Sequence, residues 1–167
     1  QREAGESAGM RHTNEGRAAD LMNRTFRRQL TGTFMLMGGI SWIAFGVSHL
    51  FFPSVLDWET ALSNVPPADV FGFTISNRSF IYLFNMDLLL YDILLGIISI
   101  TFSKSARKGR RMAANYSIAL GAYFVIRAAL QIYYFGTSMI DILQAAASLG
   151  YSAIYLFPLT CIHEFSE

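Results

Sequence analysis

Ionisable and amide side chains recur inside four apolar stretches of this chain, and they are the residues with chemistry to offer. Asn85, Asp87 and Asp92 fall in the second stretch, Tyr123, Arg127 and Gln131 in the third, Asp141 and Gln144 open the fourth, and His49 closes the first. At about 100° per residue, Asn85, Asp92, Gly96, Ser99 and Ser103 form one stripe of a helix, while Asp87 and Tyr91 stand i, i+4 on a different face. Tyr116, Tyr123, Arg127, Gln131 and Tyr134 line up on the third helix, and Asp141, Gln144, Ser148, Tyr151, Ser152 and Tyr155 on the fourth. An unsatisfied polar group in hydrocarbon costs on the order of several kcal/mol, so these stripes are expected to converge on a protein interior. With a rise of about 1.5 Å per residue, Arg127 and Asp87 both lie about 12 Å below the outer ends of their helices, which predicts Arg127 within salt-bridge reach of Asp87 or Asp92. Tyr123, Gln131 or Gln144 is expected beside it.

Two readings of this set are open. In one, Arg127 and an aspartate form a structural ion pair that fixes helix register. In the other, His49, Asn85, Asp87, Asp92, Tyr123, Arg127, Gln131, Asp141 and Gln144 surround a pocket open to the outer leaflet, where a quinone, lipid or other small amphiphile places its polar head. No catalytic constellation stands out; an enzymatic reading would use His49 or Asp92 as proton acceptor, and a small transporter or proton pathway would use the same ionisable groups. No metal set is predicted, since the spans lack Glu-x-x-His pairs. His49 reads either as a hydrogen-bonded histidine or as one axial ligand to a pigment; His163 belongs at the opposite end of its span, which disfavours bis-histidine haem within one chain.

These side chains need helices to position them. The chain has 167 residues, 53 % of them hydrophobic and only 15 % charged, a composition too apolar for an ordinary soluble domain of this size. The apolar stretches run over about 30–52, 80–102, 112–135 and 139–162, each near the ~20 residues that cross a bilayer core. The expected fold is therefore an all-α integral membrane four-helix bundle over 29–165, preceded by a polar, basic arm or interfacial helix over 1–28. The net charge of +1 gives nucleic acid nothing to bind. Cys161 is the single cysteine, so no intrachain disulfide can form.

Charge placement sets the orientation. Arg24, Arg27 and Arg28 precede the first span, and Lys104, Arg107, Lys108, Arg110 and Arg111 fill the second connection. Both clusters belong on the cytoplasmic side, with both termini inside. In the first connection, Ser54 and Asp57 give a capping-box pattern that predicts a short interfacial helix up to about Asn64, stopped by Pro66 and Pro67. Gly32, Gly39 and Gly46 repeat every seven residues, and Ser117, Gly121 and Ala128, then Ala146, Ala147, Gly150 and Ala153, offer further small-residue contact faces. Pro158 is expected to bend the fourth helix.

The run Gly38-Gly39-Ile40-Ser41-Trp42-Ile43-Ala44-Phe45-Gly46-Val47-Ser48-His49-Leu50-Phe51-Phe52-Pro53 resembles the first helix of small DoxX-like four-helix membrane proteins, in which a Gly-rich span ends in a polar residue, aromatics and a proline. The continuation through Leu56, Trp58, Leu62 and Pro66 is similar to bacterial members of that group. The resemblance covers the first third of the chain and transfers no catalytic residue. It implies a quinone-linked or accessory role, since DoxX-like proteins include the small subunit of a thiosulfate:quinone oxidoreductase. The expected partners are membrane lipids together with other membrane subunits or further copies of this chain.

Overall fold

A computed structural model describes residues 2–64, 66–70, 73–136 and 139–165, with backbone alone at 2–16, 18, 68–70, 73, 75, 135, 140 and 141. The elements in chain order are α1 (Arg2–Ser48), α2 (Phe52–Val55), α3 (Trp58–Ala61), β1 (Ala68–Val70), β2 (Phe73–Ile75), α4 (Asn77–Arg107), α5 (Arg111–Phe135), α6 (Met139–Leu156) and a 3-10 segment, Phe157–Glu164. Four stretches are long and apolar enough to cross a membrane: Ala19–Ser48, Asn77–Arg107, Arg111–Tyr134 and Ile142–Glu164. They mark a membrane protein; each overlaps one of the four stretches read from the sequence, the first starting earlier, at Ala19, and ending at Ser48 rather than at about residue 52. The basic N-terminal stretch is helical and continuous with the first span; Leu21, Met22 and Phe26 on it are exposed.

The chain divides into two compact units, one of residues 1–36 and 101–167, the other of residues 37–100. In the second unit, α1 and α4 run antiparallel at very close approach. A Cβ built on Gly39 would lie 2.7 Å from the carbonyl oxygen of Gly96, and one on Gly96 would lie 2.6 Å from that of Gly39. Two turns on, a Cβ on Gly46 would stand 3.0 Å from the Leu89 carbonyl and 3.1 Å from the Asp92 Cβ. The glycine stripe is thus a backbone contact face, the arrangement that lets helices associate where apolar burial gains little.

The connection after α1 differs from the expected helix. No Ser54–Asp57 capping box forms; Phe51 precedes α2 without a side-chain cap, and Asp57 adopts a left-handed φ of 45°. That residue splits the segment into two single turns, because a left-handed residue cannot continue a right-handed helix. Beyond Pro66 and Pro67 the chain makes a short antiparallel ladder that pairs Ala68 with Ile75 and Val70 with Phe73, absent from the sequence expectation. Asn77 donates from Nδ2 to the Pro66 carbonyl, closing the connection onto the start of α4. Trp58 meets Tyr82 edge-on at 5.5 Å, and Glu59 pairs with Arg78.

In the first unit, α4 ends in a Schellman motif. Gly109 takes φ 74°, its N–H donates to Ala106 O at 2.9 Å, and the Arg110 N–H donates to Ser105 O at 3.0 Å. Arg110 then becomes the extended residue before α5. α5 and α6 pack through Phe124, which stacks on Tyr151 and Tyr155 at ring distances of 5.4 and 5.9 Å, and Gly121 accommodates Leu156. On α6 the buried face is Ala145, Ser148, Ser152 and Tyr155. The small-residue face expected there is not the contact: Ala146, Ala147, Gly150 and Ala153 are exposed, and nothing lies within 4 Å of a Cβ built on Gly150. The expected bend at Pro158 takes the form of a change of helix type at Phe157. Pro158 has no N–H for the carbonyls behind it, and Ser117 on α5 supplies a donor instead, from Oγ to Tyr155 O at 2.7 Å.

Candidate functional site

The polar stripe of α4 is buried as its periodicity predicts: Asn85, Asp92, Gly96, Ser99 and Ser103 all lie inside, while Asp87 and Tyr91, on their other face, are exposed. In the second unit this stripe meets the end of α1. His49 follows the last residue of α1, Ser48, so its carbonyl is among those a helix end leaves without an intrahelical donor. Asn85 supplies that donor, from Nδ2 to His49 O at 2.8 Å, and its Oδ1 lies 2.7 Å from His49 Nδ1. Phe45 and Phe52 flank the imidazole at ring distances of 5.2 and 4.6 Å. On the far side, His49 Nε2 stands 3.4 Å from Asp92 Oδ2. His49, Asn85 and Asp92 are 5, 5 and 1 % exposed, so the group is largely shielded from solvent.

This geometry fixes where the hydrogens lie. Because the Asn85 amide nitrogen is committed to a carbonyl oxygen, the atom it turns to the imidazole is its own oxygen, an acceptor. His49 Nδ1 must therefore carry hydrogen. In a neutral ring Nε2 would then be a bare acceptor, and facing it with an ionised carboxylate would bring two lone pairs together. The gap is attractive with one proton in it, on Nε2 beside a carboxylate or on Oδ2 beside a neutral imidazole. At 3.4 Å the two atoms are farther apart than a charge-assisted hydrogen bond of about 2.7–2.9 Å. His49 Nε2 has no hydrogen-bond partner among the described residues.

Of the remaining predicted residues, some are half-buried and others exposed. Tyr123, Arg127 and Gln131 are half-buried at i, i+4 and i+8 on α5, in the first unit. Gln144 is exposed on α6, contrary to the interior position expected of it, and its carbonyl accepts from Ser148 Oγ at 3.0 Å. Asp87 likewise departs from the expected interior position. The Asp141 side chain lies outside the described residues, as do Thr137 and Ser138 of the third connection.

A second charged cluster, in the first unit, was not visible in the sequence. Glu164 is buried although it stands next to the end of the chain, and Arg27 Nη1 lies 3.7 Å from its Oε1. Arg28 donates from Nη2 to the Glu164 carbonyl, and Arg27 donates to Thr160 O at 3.2 Å. Arg28 also fills the space above Gly109, where a Cβ would fall 2.7 Å from its guanidinium carbon. The two arginines that read as orientation signals thus tie the start of the first span to the end of the last. A separation of 136 residues between Arg28 and Glu164 leaves no local pattern to find.

Among the described residues, no three His, Cys, Asp or Glu side chains are grouped to hold a metal ion. Comparison with family models, with curated proteins and with solved structures gives no match.

Proposed function

We propose that this chain is a small four-span subunit of a bacterial inner membrane, a helical bundle with both termini in the cytoplasm, that serves a larger assembly or a homo-oligomer without catalysing a reaction itself. The observation that carries this reading is how little of each span the chain covers. Only 28 to 39 % of the residues in the most apolar window of each span are buried. Leu83, Phe84, Leu90, Leu94, Ile126 and Leu143 are among the large apolar side chains facing outward. Lipid tails and neighbouring helices are the surroundings such faces fit. The exposed Leu21, Met22 and Phe26, with Arg17, Arg24, Arg27 and Arg28 near them, suit the cytoplasmic interface.

The reading is tested by crosslinking in native membranes followed by purification in mild detergent. Copurification of a defined partner or of a higher multimer, with bound lipid, is the expected result. A stable monomer that carries neither protein nor lipid would remove the basis for the proposal.

A second reading, a quinone-linked component of DoxX-like type, is favoured by the His49–Asp92 gap. An imidazole facing a carboxylate at 3.4 Å suits proton exchange with a reducible head group placed within hydrogen-bond reach. Quinone reduction or oxidation by the purified assembly, lost in Asp92→Asn with the fold intact, supports it; turnover unchanged in that variant excludes it.

A further inference from the structure

We propose that the turn between α4 and α5 holds the head group of an acidic phospholipid. A cavity of about 630 Å³ opens there, lined by Phe102 and Ser105 from the end of α4 and by Arg110, Arg111, Met112 and Asn115 from the start of α5. All six belong to the first unit. The flanking spans end at Arg107 and begin at Arg111, so the cavity lies where a bilayer changes from hydrocarbon to head groups.

The lining has the chemistry of a phosphate joined to acyl chains. Neither the Arg110 nor the Arg111 guanidinium has an ion-pair or hydrogen-bond partner among the described residues. Arg110 enters α5 without a side-chain cap, so the free N–H groups of the first turn add positive potential beside the guanidinium groups. Ser105 and Asn115 offer further donors, and Phe102 and Met112 supply an apolar wall, with Phe102 held by stacking on Tyr116 at 4.9 Å. The Schellman turn at Gly109 fixes the backbone that carries both arginines. Among the described residues, no carboxylate lines the cavity. A choline or ethanolamine cation would find no counter-charge, whereas the phosphate of a lipid with an uncharged head, phosphatidylglycerol in type, meets two guanidinium groups.

The test is native mass spectrometry of the detergent-purified chain with phosphatidylglycerol, with phosphatidylcholine of the same acyl chains, and with glycerol 3-phosphate as competitor. The expected result is one retained phosphatidylglycerol, with apparent affinity reduced by about tenfold or more in Arg110→Gln/Arg111→Gln. The same loss is not expected in Lys104→Gln/Lys108→Gln, which lowers the charge of the same turn by the same amount away from the cavity. Asn115→Leu provides an independent variant with a smaller expected loss. Equal losses in the lysine and arginine pairs would reduce the effect to general electrostatics and overturn the site. Equal retention of phosphatidylcholine, or displacement by glycerol 3-phosphate at the lipid's own concentration, would overturn the assignment to an acidic lipid.

Discussion

Asn85 grips His49 twice, with its amide nitrogen on the His49 carbonyl at 2.8 Å and its oxygen on Nδ1 at 2.7 Å. One side chain thereby ends helix α1, sets the imidazole orientation and decides which ring nitrogen carries hydrogen. The Asp92 carboxylate stands 3.4 Å from the other nitrogen, Nε2.

Replacing Asn85 with Leu removes both bonds and leaves a buried carbonyl and ring nitrogen without partners. The expected loss of stability is about 1–2 kcal/mol, the upper part of the range for polar contacts between membrane helices. Unfolding in mixed micelles measures it. In wild-type protein, ¹⁵N spectra of the His49 ring should show hydrogen on Nδ1; a ring protonated only at Nε2 would contradict the assigned network.

For His49 and Asp92 the expectation is coupling. Asp92→Asn and His49→Gln should each destabilise, and the double variant should lose less than the sum, because the contact between the two side chains can be lost only once. A double-mutant cycle reads the coupling directly, and strict additivity would mean that the 3.4 Å gap carries no attraction.

The glycines offer a contrast within one chain. Gly39→Ala and Gly96→Ala should both destabilise, since a Cβ at either position runs into backbone at 2.6 to 2.7 Å. Gly150→Ala, where nothing lies within 4 Å, should be neutral or stabilising by up to about 1 kcal/mol through helix propensity alone. Thermal unfolding of the three variants in one detergent checks the order.

Glu164→Leu leaves Arg27 and Arg28 facing a segment without its charge. Arg27 is 35 % exposed and partly screened by solvent, so the expected cost is about 1–2 kcal/mol rather than that of a fully buried pair. Hydrogen exchange should rise over Phe157–Glu164 and leave the α5–α6 contact protected; unchanged exchange there would show that the arginines do not hold this segment.

Orientation is open to direct measurement. Cys161 is fully buried and should stay silent to membrane-impermeant thiol reagents, which leaves single cysteines introduced at Ser63 and Ser105 as reporters. Labelling of Ser63→Cys but not Ser105→Cys in intact cells is expected from the positive-inside distribution. The reverse pattern would invert the topology.

The sequence by itself determined what depends on local periodicity. Apolar runs of span length placed the four long helices, because backbone groups in hydrocarbon must be satisfied within the segment. The heptad of Gly32, Gly39 and Gly46 marked a close-approach face, and the 100° rotation per residue put Asn85, Asp92, Gly96, Ser99 and Ser103 on one buried stripe. Only the tertiary structure decided which atoms meet across helices, since rotation and axial offset between two helices arise from their mutual packing. The approach of Gly39 to Gly96 sets the offset that brings His49 level with Asn85 and Asp92. The same dependence explains the misses: Asp87 and Gln144 turn outward, α6 buries its serines and Tyr155 rather than its Ala-Gly face, and Arg27 and Arg28 find Glu164. Periodicity states which residues share a face; the partner of each face is settled only when the helices pack.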